Sequence, residues 1–412
     1  MKLFIKTLLL SFLAPVLAFA QSNYKPGYVV DLKGDTLKGF IDYREWNKNP
    51  KQFSFKNSSG NTQVFNIQNA TAFTITGLEY YERHIVSIST DPTDLNMLMH
   101  QVDTSFVSDT VFLKILQRGR YVSLYYYNDD IKSRFYLSET GDPRQPEELG
   151  YHFYYNNDES NTIKYIRRYR TQLQYVAQKN NVSNKDLESS IQQSKYDAND
   201  LESIVSKING DKGRQMVSQN LFGTRWFAGI GVNYTDMTFN GDIDYGDSYA
   251  LFPKVSMGLD FLTNKNTQQF FLRAEVAFTG DSHDFKNTYE QSELKFNQLT
   301  ASIILQAYYN FYNSEKLKIF FGGGIPVNFS IYPDHYYVTE GGIDVTPIKQ
   351  SNFPDYHMLW ESFILKAGIV LNKKLEIYVG YSPATTLTDD YLDFAGNVVS
   401  YQAGVNFLFG AK

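Results

Sequence analysis

The sequence contains no cysteine in its 412 residues. Disulfide bonds, thiol chemistry and thiolate metal sites are therefore excluded. An exported protein of this length does not need disulfide bonds, because its core or barrel can be large enough to be stable without them. The lack of cysteine is thus compatible with export.

Long apolar runs are also missing. After residue 20 no stretch approaches the roughly 18 consecutive apolar residues of a transmembrane helix, and the mean hydropathy is −0.37. The mature chain is therefore expected to have no transmembrane helix. Membrane β-strands remain possible, because they place apolar residues in alternation and a hydropathy average misses them.

Positive charge is scarce as well. Lys and Arg number 39 against 44 Asp and Glu, which gives a net charge of −5. This balance argues against nucleic acid as a partner, since nucleic-acid-binding domains are usually basic. Aromatic residues are abundant by contrast, with 32 Tyr and 31 Phe. Such an excess suits β-structure and the aromatic belts of membrane interfaces.

The first 20 residues have the pattern of a secretory signal peptide. Lys2 and Lys6 form a basic start, residues 8–17 form an apolar core, and Ala18-Phe19-Ala20 fits the small-x-small cleavage rule. We therefore expect an exported protein whose mature chain begins at Gln21.

Residues 223–412 carry the most informative pattern, a series of eight predicted strands. Their connections are alternately long and short, with the short ones after the second, fourth and sixth strands. An even strand count with this asymmetry predicts an outer-membrane β-barrel, with long loops outside the cell and tight turns in the periplasm. The predicted strands are residues 225–234, 250–262, 268–279, 294–311, 316–331, 356–371, 374–382 and 398–409.

Alternation within these strands separates an apolar face from a polar one. In the second strand Val255 and Met257 lie on one face, and Lys254 and Asp260 lie on the other. A soluble lipocalin-like barrel would have the same period with the faces reversed. The polar faces hold charges of both signs, which could pair inside a lumen, whereas an Arg or Lys facing lipid would cost about 2–4 kcal/mol. These charged residues are Lys254, Arg273, Lys318, Lys366, Asp260, Glu275 and Glu376.

Two further expectations follow from the same strands. The lumen of an eight-stranded barrel is filled by side chains, so we expect a network of Arg273, Glu275, Lys254 and Glu376 to block diffusion. Aromatic residues near the strand ends on the apolar face predict two interface girdles. The girdle residues are Trp226, Tyr234, Phe261, Phe270, Phe278, Tyr309, Phe311, Tyr381, Tyr401 and Phe409.

Residues 21–152 read as a soluble β-rich domain with hairpins around Lys33-Gly34-Asp35, residues 57–61 and Arg118-Gly119. Residues 153–222 read as a helical segment and linker. Its predicted first helix has Ile163, Ile166, Leu173 and Val176 on one face; the second starts at Ser183-x-x-Asp186, and the third is capped by Asp197 and ended by Gly210. Whether residues 21–222 form one unit or two is left open.

The sequence therefore predicts a mainly β protein. A C-terminal eight-stranded antiparallel transmembrane β-barrel (residues 223–412) is preceded by a soluble β-rich domain (residues 21–152) and a short helical segment with a linker (residues 153–222), after a signal peptide (residues 1–20). Because eight is even, both ends of the barrel should face the periplasm.

Three segments carry a resemblance to a known group. Gly404-Val405-Asn406-Phe407-Leu408-Phe409 resembles the C-terminal assembly signal of outer-membrane proteins, although Gly410-Ala411-Lys412 follow it. Tyr169-Arg170-x-Gln172-Leu173 and the hairpin of residues 34–39 resemble the N-terminal region of many such proteins. The chain thus resembles Gram-negative outer-membrane β-barrel proteins with a PorT-like eight-stranded C-terminal barrel domain. The resemblance implies an outer-membrane location and insertion by BAM-type assembly machinery, and it implies no catalytic residues.

Two motifs resemble parts of known binding sites. Asn240-x-Asp242-x-Asp244 resembles the start of a calcium loop, but the glycine is Gly246, one position late, and Leu251 stands where a bidentate Glu is required. A solvated acidic loop is favoured. Gly229-x-Gly231 and the glycines at 322–324 resemble nucleotide-binding glycines, yet neither group opens a helix, so barrel glycines that relieve crowding are favoured.

Two groups of polar residues have catalytic or binding alternatives. His283, His335 and His357 are expected in or near the outer loops, with Ser282 and Ser362 as the available partners for a lipid-modifying enzyme, and plain exposure is favoured. Lys164, Arg167, Arg168 and Arg170 form a basic cluster, for which a solvated helix face is favoured over a contact with a periplasmic partner or an anionic headgroup.

The function expected from the sequence is that of an outer-membrane anchor and interaction module with a periplasmic N-terminal domain. No catalytic, cofactor-binding or metal-binding residue is assigned. The expected partners are outer-membrane lipid, BAM-type assembly machinery and an unidentified periplasmic or surface protein, but no nucleic acid. The alternatives are a lipid-modifying outer-membrane enzyme and a small-solute channel.

Overall fold

The computed structural model describes residues 23–44, 46–142, 144–156, 162–210, 214–215, 221–240, 246–287, 292–333, 335–339, 348–351, 355–388 and 395–410. They form two compact units, one within Asn23–Gln219 and one within Asn220–Lys412. The predicted signal peptide, residues 1–20, lies outside the described residues. Among the helices that the structure describes, none is long and apolar enough to cross a membrane.

The N-terminal unit is built on one large antiparallel sheet. Its strands run in the order β10-β9-β8-β7-β6-β5-β1-β2-β3-β4, with β13 paired to β7, while β11 and β12 form a separate hairpin. A 3₁₀ helix, Leu95–Met97, lies between β6 and β7. The strands are β1 (Tyr24–Asp31), β2 (Thr36–Asp42), β3 (Gln52–Asn57), β4 (Thr62–Asn66), β5 (Ala70–Ile75), β6 (Glu79–Ser89), β7 (Phe106–Arg118), β8 (Val122–Asn128), β9 (Ser133–Glu139), β10 (Glu147–Glu148), β11 (His152–Tyr155), β12 (Ile163–Ile166) and β13 (Arg214–Gln215).

The predicted hairpins are confirmed, and their turn residues explain them. In the first hairpin Gly34 has φ +91°, a conformation that glycine adopts without strain, and the Asp31 carboxylate accepts hydrogen bonds from the backbone of Lys33 and Asp35. Strands β5 and β6 were not predicted from the sequence. In β6 the consecutive polar residues Glu82, Arg83 and His84 conceal the alternation that marks a strand.

Three helices follow the sheet: α1 (Arg168–Lys179), α2 (Lys185–Gln193) and α3 (Ala198–Ile208). The prediction that Ile163 and Ile166 belong to the first helix was wrong. Both lie on β12, where Ile166 pairs with His152 and Ile163 pairs with Tyr155. A spacing of three residues fits a helix, but the pairing with β11 satisfies the backbone of this short segment instead.

The ends of the helices largely follow the predicted signals. Asp197 caps α3 by accepting from the backbone of Asp200, and Gly210 has φ +72° just after the helix, as expected. The cap of α2 is Asn184, one residue later than predicted, because its side chain accepts from the backbone of Leu187. Ser183 instead donates to the Glu188 carboxylate.

The helices pack on one end of the sheet. Their buried residues form one core with side chains of β7, β8 and β9. Asn209 fixes the contact, because its side-chain oxygen accepts from the backbone of Tyr121 at 2.9 Å and its amide donates to Val122 O at 3.0 Å. This core contains Leu116, Val122, Leu124, Phe135, Leu137, Leu149, Tyr169, Leu173, Val176, Ala177, Leu187, Ile191, Leu201, Ile204, Val205 and Ile208.

The second unit is a closed ring of eight antiparallel strands, as predicted. It closes because the first ring strand pairs with the last along its length, from Trp226 opposite Phe409 to Asn240 opposite Ala395. Three short strands, β19 (His335–Thr339), β20 (Ile348–Ser351) and β21 (Leu359–Glu361), are added beside the ring. The ring strands are β14 (Gly223–Asn240), β15 (Asp247–Leu262), β16 (Phe270–Asn287), β17 (Ser292–Asn313), β18 (Leu317–Ile331), β22 (Ile364–Leu371), β23 (Leu375–Thr386) and β24 (Ala395–Phe409).

Several ring strands extend beyond their predicted ends, which corrects the prediction of long first and third loops. β14 continues to Asn240 rather than residue 234, and β16 continues to Asn287 rather than residue 279. The outward residues of these extensions are polar, for example Asp236 and Asp284, so the apolar alternation stops although the pairing continues. The predicted strand at 356–371 is also interrupted, because β21 and β22 are separate.

Candidate functional site

The lumen of the barrel contains a group of buried ion pairs, which we call the ionic plug. Arg273 on β16 lies at its centre. Its guanidinium donates to the Asp260 carboxylate at 2.7 and 3.2 Å and to the Glu376 carboxylate at 2.7 and 2.8 Å. Arg225 binds the other side of Asp260 at 2.6 and 2.9 Å, and Asn406 donates to Glu376 at 2.6 Å. The plug comprises Arg225, Lys254, Asp260, Arg273, Glu275, Lys366 and Glu376.

Glu275 organises the rest of the plug. Its carboxylate lies 3.0 Å from Lys254 Nζ and 2.7 Å from Lys366 Nζ, and it accepts a hydrogen bond from Gln306 at 2.9 Å. The plug residues are nearly or completely buried. Burial of charges is tolerated only where partners and hydrogen bonds compensate for lost hydration, and this set provides both.

The ionic plug confirms the predicted network of Arg273, Glu275, Lys254 and Glu376. Asp260 and Lys366, also expected on the polar face, belong to it. Arg225 was not predicted to take part. It precedes Trp226, which was predicted on the apolar face, so the alternation of the strand would have placed Arg225 inside. Lys318 is separate, since its ammonium donates to Thr267 O at 2.9 Å.

A small cavity, the lumen chamber, lies on the other side of Lys254 from most of the plug. Its volume is about 60 Å³, enough for a few water molecules. Its lining is mainly hydroxyl and amide side chains, and it includes one carboxylate, Asp281. The buried polar residues of the lining are Asn233, Thr235, Lys254, Asp281, Gln298, Thr300, Ser302, Asn328 and Ser382.

Apolar side chains form a cluster inside the ring, around the parts of β14 and β16 that extend beyond their predicted ends. We call this cluster the apolar cap. The rings of Phe239 and Phe285 contact edge to face, with their centroids 5.0 Å apart. The ring centroids of Phe296 and Tyr356 are 4.8 Å apart. The interior of the ring thus has the ionic plug beside a second apolar cluster that includes Phe227 and Phe271, then small polar groups, then the apolar cap. The cap consists of Met237, Phe239, Phe285, Leu294, Phe296, Tyr356, Leu387 and Val398.

His283 corrects the expectation that the three histidines are exposed in loops. It lies on β16 inside the ring, is 1% exposed, and stacks on Phe296 at 5.2 Å. Its Nδ1 is 3.1 Å from Ser248 Oγ and its Nε2 is 3.2 Å from Thr235 Oγ1. Thr235 in turn donates to the Asp281 carboxylate at 2.6 Å. A chain of hydrogen-bonding groups therefore connects the cap with the lumen chamber.

The serine partners considered from the sequence make other contacts. Ser282 and His283 lie on opposite faces of β16, and Ser282 donates to Asn297 Oδ1 at 2.7 Å. Ser362 accepts from Asn328 at 3.2 Å. His335 lies on β19, where its ring contacts Tyr332 O at 3.0 Å. The neighbouring pair at 282–283 is therefore not a catalytic pair.

The glycine motifs are part of the barrel wall. Gly229, Gly231, Gly322 and Gly324 lie on β14 and β18, and a Cβ at Gly324 would overlap the carbonyl oxygen of Leu305. They permit close strand contact, in line with the favoured interpretation. Of the calcium-like motif, Asp242 and Asp244 lie outside the described residues. In the part of the chain that the structure describes, no cluster of three or more His, Cys, Asp or Glu residues could hold a metal ion.

The basic cluster is not one helix face, which corrects that interpretation. Lys164 is on β12, Arg167 precedes α1, and Arg168 and Arg170 are on it. Arg167 lies over the Tyr165 ring at 4.8 Å, and Arg170 donates to Ser194 O at 2.7 Å. Lys164, Arg167 and Arg168 remain exposed.

A buried carboxylate organises another part of the N-terminal unit. Asp91 accepts from Lys132 Nζ and lies 3.1 Å from His152 Nδ1. Burial pushes the pKa of Asp91 upward, but its close contacts with His152 and Lys132 outweigh burial and hold the pKa below its ordinary value of 3.8. The ionised form of Asp91 is therefore part of the stable fold.

The outside of the ring is an apolar belt. Outward side chains such as Ile230, Met257, Leu305 and Val379 are at least 60% exposed, whereas the inward Asp260 is fully buried. Aromatic residues mark both margins: Trp226 pairs with Phe409, and Tyr234 pairs with Tyr401. From Trp226 to Tyr234 there are nine residues, which is the length of a membrane-crossing strand, about 9–11 residues.

No family model matches the sequence, and no curated protein matches it. Among solved structures, the chain is similar to Ail, the attachment invasion locus protein of Yersinia pestis, with 13% identity, 44% of this chain and 98% of that chain covered, and a TM-score of 0.25. Neisserial surface protein A has 13% identity, coverages of 44% and 96%, and a TM-score of 0.25. The outer membrane protein OprG from Pseudomonas aeruginosa has 11% identity, coverages of 45% and 96%, and a TM-score of 0.26.

Proposed function

We propose that this protein is a non-catalytic outer-membrane β-barrel that anchors its N-terminal unit on the periplasmic side. The observation that carries the proposal is the inverted distribution of polarity in the ring. Charged residues such as Arg273 and Glu376 are buried inside, while large apolar residues such as Ile230 and Leu305 are exposed outside. An exposed apolar surface of this extent is stable only against hydrocarbon.

The proposed topology follows from the strand count. With eight strands, both ends of the barrel are on the same side, and the short turns belong to the periplasmic side. The turn at Asn372 and Lys373 is of this kind, since both residues have positive φ and Lys374 N donates to Leu371 O at 3.0 Å. The N-terminal unit would then be periplasmic and free to bind a periplasmic partner.

Export, membrane assembly and group membership are parts of the same proposed function. Export by the signal peptide at residues 1–20, insertion by BAM-type machinery and membership of the PorT-like group are supported by the sequence patterns and by the eight-stranded ring. The segment from Gly404 to Phe409 lies in the closing strand β24, with Phe407 and Phe409 exposed on the belt. That placement suits a segment that the assembly machinery recognises.

Membrane insertion is tested by washing envelope membranes with carbonate and by electrophoresis with and without boiling. We expect the protein to stay in the membrane and to migrate faster unboiled. Release into the wash without a heat shift would contradict the proposal and would make the chain a soluble barrel.

Topology is tested with single cysteines, which is convenient because the chain has none. Lys286→Cys lies at the exposed outer end of β16, and Asn61→Cys lies in an exposed turn of the N-terminal unit. A membrane-impermeant maleimide should label Lys286→Cys in intact cells and Asn61→Cys only after permeabilisation. The reverse pattern would overturn the topology.

The channel alternative is not favoured, because the ionic plug and the apolar cap both fill the lumen. Flat conductance in planar bilayers is the expected result. Steady single-channel currents from the purified barrel would show that the plug opens.

A further inference from the structure

The lumen chamber contains a carboxylate with no cationic partner. Asp281 is 8% exposed, and its carboxylate accepts a hydrogen bond from the neutral hydroxyl of Thr235 at 2.6 Å. Among the described residues no Lys, Arg or His nitrogen lies within 4.0 Å of its carboxylate. Lys254 also lines the chamber, but its ammonium is held by Glu275 at 3.0 Å and by Gln402 at 2.8 Å.

A second observation points to a ligand in the same cavity. Asn233 is 4% exposed, lines the chamber, and its side-chain oxygen has no hydrogen-bond partner among the described residues. Buried polar atoms in folded proteins are nearly always paired with protein, water or an ion. An unpaired oxygen, and a carboxylate with no cation within 4.0 Å, in one small cavity therefore suggest a bound cation.

A third oxygen source lies beside Asp281. Gln298 on β17 is directly opposite Asp281 in the strand register, and both line the chamber. The amide nitrogen of Gln298 donates to Ser330 Oγ at 2.9 Å. The nitrogen is thus engaged away from Asp281, so the amide oxygen of Gln298 is the group left for an ion.

We propose that the lumen chamber binds one monovalent alkali cation, with Asp281 as the charged ligand and Asn233 and Gln298 as neutral oxygen ligands. Carboxylate, amide and hydroxyl oxygens are the ligands that hard cations prefer. A single positive charge would give the Asp281 carboxylate the close partner that it lacks, because Lys254 is held by Glu275. The volume of about 60 Å³ holds an ion and a few waters.

The test compares three salts on the full-length protein. Wild type is refolded into detergent micelles in NaCl, KCl or N-methylglucamine chloride at equal ionic strength, so that each sample meets one cation only. Samples are then heated to a series of temperatures, and the midpoint at which the folded, faster-migrating gel band is lost is measured. A cation at ten times its Kd lowers the unfolded-to-folded ratio about tenfold, so a higher midpoint is expected in NaCl or KCl.

Three variants make the result specific. Asp281→Asn should abolish the difference between salts, and Asn233→Ala should reduce it. Asp284→Asn removes the same charge from the same strand but at an exposed position, so it should leave the difference unchanged. Equal midpoints for wild type in all three salts would overturn the proposal and show a protonated Asp281 or a water-filled chamber. If Asp281→Asn does not fold, the wild-type comparison together with Asn233→Ala still decides the question.

Discussion

Replacing Arg273 by leucine should destabilise the barrel more than replacing any other cation of the ionic plug. Four hydrogen bonds connect this guanidinium to two carboxylates. Without it Asp260 keeps both contacts from Arg225, but Glu376 keeps only the neutral amide of Asn406. One buried carboxylate is then uncompensated, which costs about 3–5 kcal/mol.

Lys366→Met is the matched comparison, because Lys366 is equally buried. When it is removed, Glu275 still has Lys254 at 3.0 Å and Gln306 at 2.9 Å. The loss is then close to one charge-assisted hydrogen bond, about 1.5–3 kcal/mol. The double variant Arg273→Leu with Glu376→Gln should recover part of the Arg273 loss, because it removes the stranded charge.

The assay is urea unfolding of the barrel in lipid vesicles, followed by the heat-modifiable gel form and extrapolated linearly to water. We expect wild type to be the most stable and Arg273→Leu the least stable. Lys366→Met and the double variant should lie between them, close to each other. If Arg273→Leu were as stable as Lys366→Met, the plug would not depend on a single shared guanidinium. Glu376 would then not be left as an uncompensated buried charge, and the reasoning would be refuted.

Three other predictions concern different parts of the chain. Val276→Arg places a charge on the belt and should cost about 2–4 kcal/mol, whereas Asp284→Arg, exposed on the same strand, should change stability by less than about 0.5 kcal/mol in the same urea assay. Gly324→Ala should destabilise by about 1–3 kcal/mol because its Cβ meets a backbone carbonyl, while Gly410→Ala, with open space around it, should be neutral by thermal midpoint. Because the pKa of Asp91 is lowered in the folded protein, its ionised carboxylate contributes fully to the free energy of unfolding above about pH 3.8. This contribution is lost as the pH falls through the folded-state pKa. In an acid titration of the full-length protein followed by near-UV circular dichroism, wild type should unfold at a lower pH than Asp91→Asn. Coincident unfolding curves would refute this.

The ring was predictable from the sequence because one physical constraint acts on every residue of its membrane part. Met257 and Asp260 have opposite surroundings, so a period of two separates them without any knowledge of neighbours. The same constraint made Arg273, Glu275, Lys254 and Glu376 recognisable as lumen residues. It could not show which pairs form, since pairing across the lumen depends on strand register.

The alternation fails where the lipid ends. His283 has polar outward neighbours, Ser282 and Asp284, so its segment reads as a loop although it is a paired strand. The lumen chamber was missed for the same reason, because Asp281 lies at this transition. Ile163 and Ile166 show another limit, since a strand of four residues is too short for its period to distinguish it from a helix.

The apolar cap affects how molecules outside the cell reach the outer loops. Phe278 closes the belt on β16, and nine residues later the strand ends at Asn287, a further ~30 Å along the strand or roughly 20 Å of height at a typical tilt. On the proposed topology the loops would stand on a stiff collar with its own packed core, clear of the lipid headgroups. Antibodies or phage could then reach the loops without contacting the headgroups, and foreign peptides inserted there should be displayed without unfolding the anchor.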